Sequence, residues 1–163
     1  IGPGAVLRGD WGKVIVGDGC NVQENCTLHM FPGKSVVLKD GAHVGHGAVI
    51  HGAELGVQVL VGMNSVVMDD VVLGDGSFVG ALSLVPANKV FEPRSLIVGN
   101  PARRIKEVSD EMYNHKVEGT ELYRKLPLEM DEISKEVEPL SEAPANRIED
   151  FPDFDTWMKR KEG

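Results

Sequence analysis

Aromatic residues make up only 6% of the 163 positions, and there are only two cysteines, Cys20 and Cys26. No long apolar run and no secretory leader pattern occurs, which excludes a membrane-spanning helix and makes a soluble, cytoplasmic protein the expectation. Basic residues are outnumbered, 17 Lys and Arg against 25 Asp and Glu, giving a formal charge of −8. That balance excludes a general binder of nucleic acid or of anionic membranes. Gly, by contrast, is abundant at 19 residues. The length suits one domain with a sizeable core. Ile1 already stands inside a repeat, so an initiator Met and a further coil are expected to precede it.

The repeat has a six-residue period. Its apolar first positions, aliphatic in all but Phe91, are Ile1, Leu7, Val16, Val22, Leu28, Leu38, Val44, Ile50, Leu55, Val61, Val67, Leu73, Val79, Val85, Phe91 and Ile97. Two steps are long, nine from Leu7 to Val16 and ten from Leu28 to Leu38, and one is short, five from Ile50 to Leu55. The second position is often Gly, as at Gly45, Gly56 and Gly62, and the fifth is small or compact, as at Cys20, Cys26, Ala42, Ser65 and Ser77. This period fits neither an amphipathic helix nor a sandwich. It fits short strands joined by corners, with Gly expected to supply backbone angles that other residues resist. The pattern resembles the left-handed parallel β-helix of hexapeptide repeats, in which three hexapeptides form one triangular coil. No such coil buries its own apolar face, so stability comes from stacking.

Cys20 and Cys26 occupy the fifth position of consecutive hexapeptides, which lie on different faces, so a disulfide between them would be strained. Both read as small core fillers, in keeping with a reducing compartment.

The same frame orders the histidines. His29 and His51 are second-position residues 22 apart, one 18-residue coil plus the four-residue insertion, so His51 stacks over His29. Arg8, 21 before His29, joins that column across the three-residue insertion. His46 lies on a different face, with Glu24 one coil beneath it and Gln23 beside Glu24. Stacked strands are about 4.8 Å apart, so two imidazoles reach one ion, with Zn–N near 2.0–2.1 Å. A threefold packing of prisms would bring His46 of a neighbour against His29 and His51, giving three equivalent sites. His43 and His115 stand outside this geometry and are expected to be ordinary surface or interface histidines.

The segments Leu7-Arg8-Gly9-Asp10, Asn21-Val22-Gln23-Glu24, Leu28-His29, Val44-Gly45-His46 and His51-Gly52 resemble the γ-class carbonic anhydrase family over about residues 1–106. The resemblance implies a homotrimer with Zn²⁺, or Fe²⁺ or Co²⁺, between subunits on His29, His46 and His51. It implies reversible hydration of CO2 by a zinc-bound hydroxide, with Gln23 in the active site and Arg8 and Asp10 pairing across the interface. Glu24 replaces the usual Asp of the family. Trp11 stands where the archetype has a Glu, and the stretch Met30-Phe31-Pro32-Gly33-Lys34-Ser35 has no carboxylate where the archetype carries an acidic proton-shuttle loop.

After the exit at Ile97–Arg103, Ser109 is the expected N-cap of a helix with Asp110 and Glu111 in its first turn. The helix is expected to run toward Leu126, with a break near Gly119 and a new segment at Pro127. The sequence from Val108 to Leu126 resembles the phenylacetate-degradation and carnitine-operon members of the same family. Three regions follow: a β-helix over 1–106, a helical segment over 107–137 and a polar extended tail over 138–163, with Phe151, Phe154 and Trp157 pinning it. Two alternatives accompany the carbonic anhydrase reading. One is an acyl-CoA thioesterase at the same metal; the other is a hexapeptide-repeat acyltransferase or a non-catalytic assembly protein. Each enzymatic reading takes a small-molecule substrate.

Overall fold

The computed structural model describes residues 1–142 and Ala145. It divides into two compact units, Ile1–Arg124 and Lys125–Gly163. The first unit is a left-handed parallel β-helix with three sheets as the faces of a prism. The first sheet stacks Val6–Leu7, Thr27–His29, Val49–His51, Val66–Val67 and Leu84–Val85. The second stacks Lys13–Val16, Ser35–Leu38, Glu54–Leu55, Val72–Leu73 and Val90–Phe91. The third begins at Asn21–Val22 and His43–Val44 and rises to Ser95–Gly99. The strand Ala102–Glu107 then pairs antiparallel with Ser95–Gly99 and ends the coil.

Every first-position aliphatic from Leu7 to Ile97 stacks on another, for example Leu28 on Ile50, Leu38 on Leu55 and Val61 on Val79. Most are wholly buried, Leu28, Ile50, Leu55 and Val61 at 0% exposure. The fifth position fills the narrow corners, and its hydroxyls and thiols donate to backbone carbonyls. Ser65 Oγ donates to Gly80 O at 2.8 Å, and Cys26 Sγ to Gly45 O at 3.1 Å. Cys20 and Cys26 are free, and burial pushes both thiols up, so they remain protonated donors.

The role expected for the second-position Gly is corrected. Left-handed backbone falls instead on the fourth position, at Asn25, Gln58, Asn64, Asn88 and Gly41. Second-position glycines meet a steric limit: a Cβ on Gly62 would lie 2.4 Å from the backbone nitrogen of Ala81 in the next coil. The same limit holds at Gly45, Gly56 and Gly74 in the second and third sheets, while Gln23, Lys39, Glu92 and Val98 fill other second positions there. The corner leaving the first sheet carries the insertions and the short step, and there Arg8, His29 and His51 take the second position.

The helix Asp110–Ile133 is continuous through Gly119 and Pro127, which corrects the expected break and extends the end beyond Leu126. Pro127 forfeits one backbone hydrogen bond, and its neighbours Lys125, Leu126, Leu128, Glu129 and Met130 are good helix formers. Ser109 caps the start as expected, Oγ accepting from Met112 N at 3.2 Å. Within the first unit the helix lies along the prism. Lys116 Nζ donates to Gly41 O and to Gln58 Oε1, each at 2.6 Å. In the second unit the described residues beyond Ile133 form no regular element. Phe151, Phe154 and Trp157 lie outside the described residues.

His43 is not a surface residue. It is buried beneath the helix, edge-on to Tyr123 with ring centroids 5.2 Å apart. Burial, followed by the charges of Lys116 and His46, pushes its pKa down from 6.5 to about 4. As pH falls from 6.5 to 4 the unfolded chain takes up this proton before the folded one, so stability falls with pH across that window. The loss is of the order of 3 kcal/mol. Denaturant unfolding at pH 7 and pH 4.5 should show a smaller acid loss in His43→Phe than in the wild type; equal losses would contradict the assignment.

Candidate metal centre

Parallel pairing sets His29 directly beside His51 at the edge of the first sheet. His29 Nδ1 and His51 Nε2 stand 3.3 Å apart, with ring centroids at 5.3 Å. Two nitrogens bound to one tetrahedral ion at about 2.0–2.1 Å are themselves separated by about 3.3 Å. The pair therefore already stands at the spacing that one cation needs. Arg8 completes the column, Nη2 2.7 Å from His29 Nε2.

His46 sits at the corner between the third and first sheets, half exposed. Its backbone N–H donates to Gln23 Oε1 at 3.1 Å. Beside it runs a cavity of about 280 Å³, whose walls include Leu60, Met63, Ala81 and Tyr123. Within one chain His46 does not converge with His29 and His51. Among the described residues no group of three or more His, Cys, Asp or Glu side chains is placed to hold an ion. A site built from all three histidines would need a second copy.

Each of the three histidines carries its own carboxylate. Asp10 Oδ1 lies 3.1 Å from His29 Nε2, Asp69 Oδ1 2.8 Å from His51 Nδ1, and Glu24 Oε2 2.7 Å from His46 Nδ1. Where histidines do hold a metal, a carboxylate on one ring nitrogen commonly orients the other toward the ion. Desolvation would raise the Asp10 carboxyl, but the His29 hydrogen bond and the Arg8 charge outweigh it and hold it below the ordinary carboxylate value. Its own backbone N–H, with help from His46, likewise holds the Glu24 carboxyl low. Arg8 Nε also pairs with Asp10 Oδ2 at 3.2 Å, within the chain. The donor set, three imidazoles backed by carboxylates, fits a borderline cation such as Zn²⁺.

The two insertions bring aromatic residues to the pair. Trp11 lies 5.6 Å from His29 and Phe31 4.9 Å from His51, both side chains more than half exposed. No carboxylate occupies either place, in agreement with the sequence. Asp69, which contacts His51, was not among the residues the sequence singled out. Its signal was present, since it stands 18 residues, one full coil, after His51.

Fold and site together define a hexapeptide-repeat β-helix protein with paired histidines on one edge. The carnitine operon protein CaiE of Salmonella agona is 40% identical over 147 residues, covering 90% of this chain and 74% of that protein. The chain belongs to the CaiE family. Among solved structures, a hexapeptide transferase family protein from Anaplasma phagocytophilum superposes with a TM-score of 0.75 at 33% identity, covering 78% of this chain and 75% of that one. A Bacillus cereus putative acetyltransferase superposes with a TM-score of 0.68 at 36% identity, covering 77% of each. No family model matches the chain. The resemblance to the carnitine-operon members is borne out. The descriptions of the solved neighbours favour the acyltransferase alternative, and none of these relatives is described as a carbonic anhydrase. No helix among the described residues is long and apolar enough to cross a membrane.

Proposed function

We propose that the protein is a metal-dependent enzyme with its active sites between the subunits of a homotrimer, and that it adds water to a small electrophilic carbon, CO2 first. The observation that carries this is the His29–His51 pair at 3.3 Å, with a carboxylate on each ring. His46 of the adjacent copy supplies the third nitrogen. A Zn²⁺ held by these three imidazoles would supply Lewis acidity and activate water near neutral pH.

The chain's own residues do the rest. Asp10, Asp69 and Glu24 orient the three rings. Gln23, held by the His46 backbone, borders the same cavity as His46 and presents an amide to substrate. Arg8 holds Asp10 beside His29. Trp11 and Phe31 give the pair an apolar mouth that cannot carry a proton away. Proton release is therefore left to external buffer.

Acyl transfer is the second reading, favoured by the descriptions of the two solved neighbours. In that reading His51, backed by Asp69, is the general base for an acceptor hydroxyl or amine. Stopped-flow CO2 hydration of the zinc-loaded protein separates the two. The hydration reading expects a rate that rises with buffer concentration and falls on chelation. A zinc-loaded trimer that leaves CO2 unreacted but moves or hydrolyses an acyl group from acetyl-CoA overturns it in favour of acyl chemistry.

A further inference from the structure

We infer that Asp69 is a positioning residue of this centre: it fixes the tautomer and ring orientation of His51, so that Nε2 presents its lone pair toward His29 before any ion arrives. The inference rests on the proposed interface metal site and deepens it, giving Asp69 the choice of the His51 tautomer as well as the orientation of its ring.

An ionised carboxylate only accepts hydrogen bonds. At 2.8 Å, Asp69 Oδ1 therefore takes the proton of His51 Nδ1, and the neutral ring keeps its lone pair on Nε2. That nitrogen is the one that faces His29 Nδ1 at 3.3 Å. His29 receives no such instruction. Its Nε2 meets both a donor, Arg8 at 2.7 Å, and an acceptor, Asp10 at 3.1 Å, which favour opposite tautomers. Within the pair, His51 is thus the ligand whose tautomer a carboxylate sets without a competing donor, as Glu24 does for His46 on the other face.

The backbone makes room for this carboxylate. The five-residue step after Ile50 places Gly52 in the left-handed region, with φ of 59°. A Cβ there would stand 2.7 Å from Asp69 Oδ1, so a side chain at position 52 would displace it. Asp70 N donates to Gly52 O at 2.9 Å and ties the two coils together at this point. The adjacent acid is directed elsewhere: Asp70 accepts Lys34 Nζ at 2.7 and 3.0 Å. Phe31 closes the other side of the His51 ring edge-on. The Asp69 side chain is 15% exposed, against 47% for Asp10 and 46% for Glu24. Solvent and salt screen an enclosed pair least, so Asp69 holds its histidine most firmly of the three.

The test compares Asp69→Asn and Asp69→Ala with Asp70→Asn, which removes the same charge one residue away. Zinc affinity of the full-length protein is measured against a competing chelator, oligomeric mass by sedimentation, and the His51 tautomer by nitrogen-15 NMR of the metal-free protein. The inference expects the Nδ1–H tautomer at His51 in the wild type and a mixture in both Asp69 variants. It expects zinc affinity to fall roughly 10- to 100-fold in those variants, with mass and melting temperature little changed. Asp70→Asn should stay within about twofold of the wild type, the ion pair it loses being exposed. An Asp69 variant that keeps wild-type affinity, or a wild-type His51 protonated on Nε2, would overturn the inference. A wild type that binds no zinc sinks the metal reading instead, and the NMR tautomer still decides the role of Asp69.

Discussion

His51→Ala chains should purify as folded protein with almost no bound metal. His51 follows Ile50 in the strand but points outward, its side chain 21% exposed while Ile50 is wholly buried. Truncation therefore removes a ligand without opening the core. One of three imidazoles is lost, and the remaining pair is divided between two subunits, so a cation held by three nitrogens and a water is left with two. Metal content by plasma emission should drop from about one ion per chain to near zero, with unchanged far-ultraviolet circular dichroism. Stoichiometric metal in the variant would remove His51 from the ligand set.

Leu55→Ala should have the reverse effect, a large loss of stability with the site intact. Leu55 is 0% exposed and stacks between Leu38 and Leu73 in the second sheet, its side chain inside the prism while His51 lies on the outside. Deleting such a side chain costs about 2–5 kcal/mol through lost burial and the cavity left behind. Stacked coils are stabilised by their nearest neighbours, so a cavity in a middle coil weakens contacts on both sides. Urea unfolding should report a loss in that range, with zinc affinity unchanged at temperatures where the variant is folded. A loss below about 1 kcal/mol would mean the prism interior relaxes far more freely than its packing implies.

The prism was legible because its geometry tolerates few exceptions. A first-position residue must fill the axis, and a fifth-position one must fit a corner, so Leu28, Ile50 and Leu55, and Cys26, Ser65 and Ser77, follow the frame. The His29–His51 column and the Glu24–His46 stack were legible for the same reason, since both follow from coil arithmetic. The helix contacts were not. Tyr113, Lys116, Thr120 and Tyr123 recur at helical spacing, yet two of the four are polar, so no apolar stripe announced that His43 would be covered. Lys116 is buried because Gly41 O and Gln58 Oε1 receive its amine, a pairing that needs the prism already folded. The reason for second-position Gly was hidden too, because the collision it avoids lies in the next coil and not in its own backbone angles.

The most direct test of a site shared between subunits is complementation. His46→Ala and His51→Ala chains are purified separately, unfolded together, refolded and assayed for zinc. In a mixed trimer one interface joins an intact His29–His51 pair to an intact His46, so the account predicts one restored zinc site per mixed trimer and none in either homotrimer. Mixed trimers as empty of zinc as the two parents would contradict it, because the three histidines would then not meet across an interface.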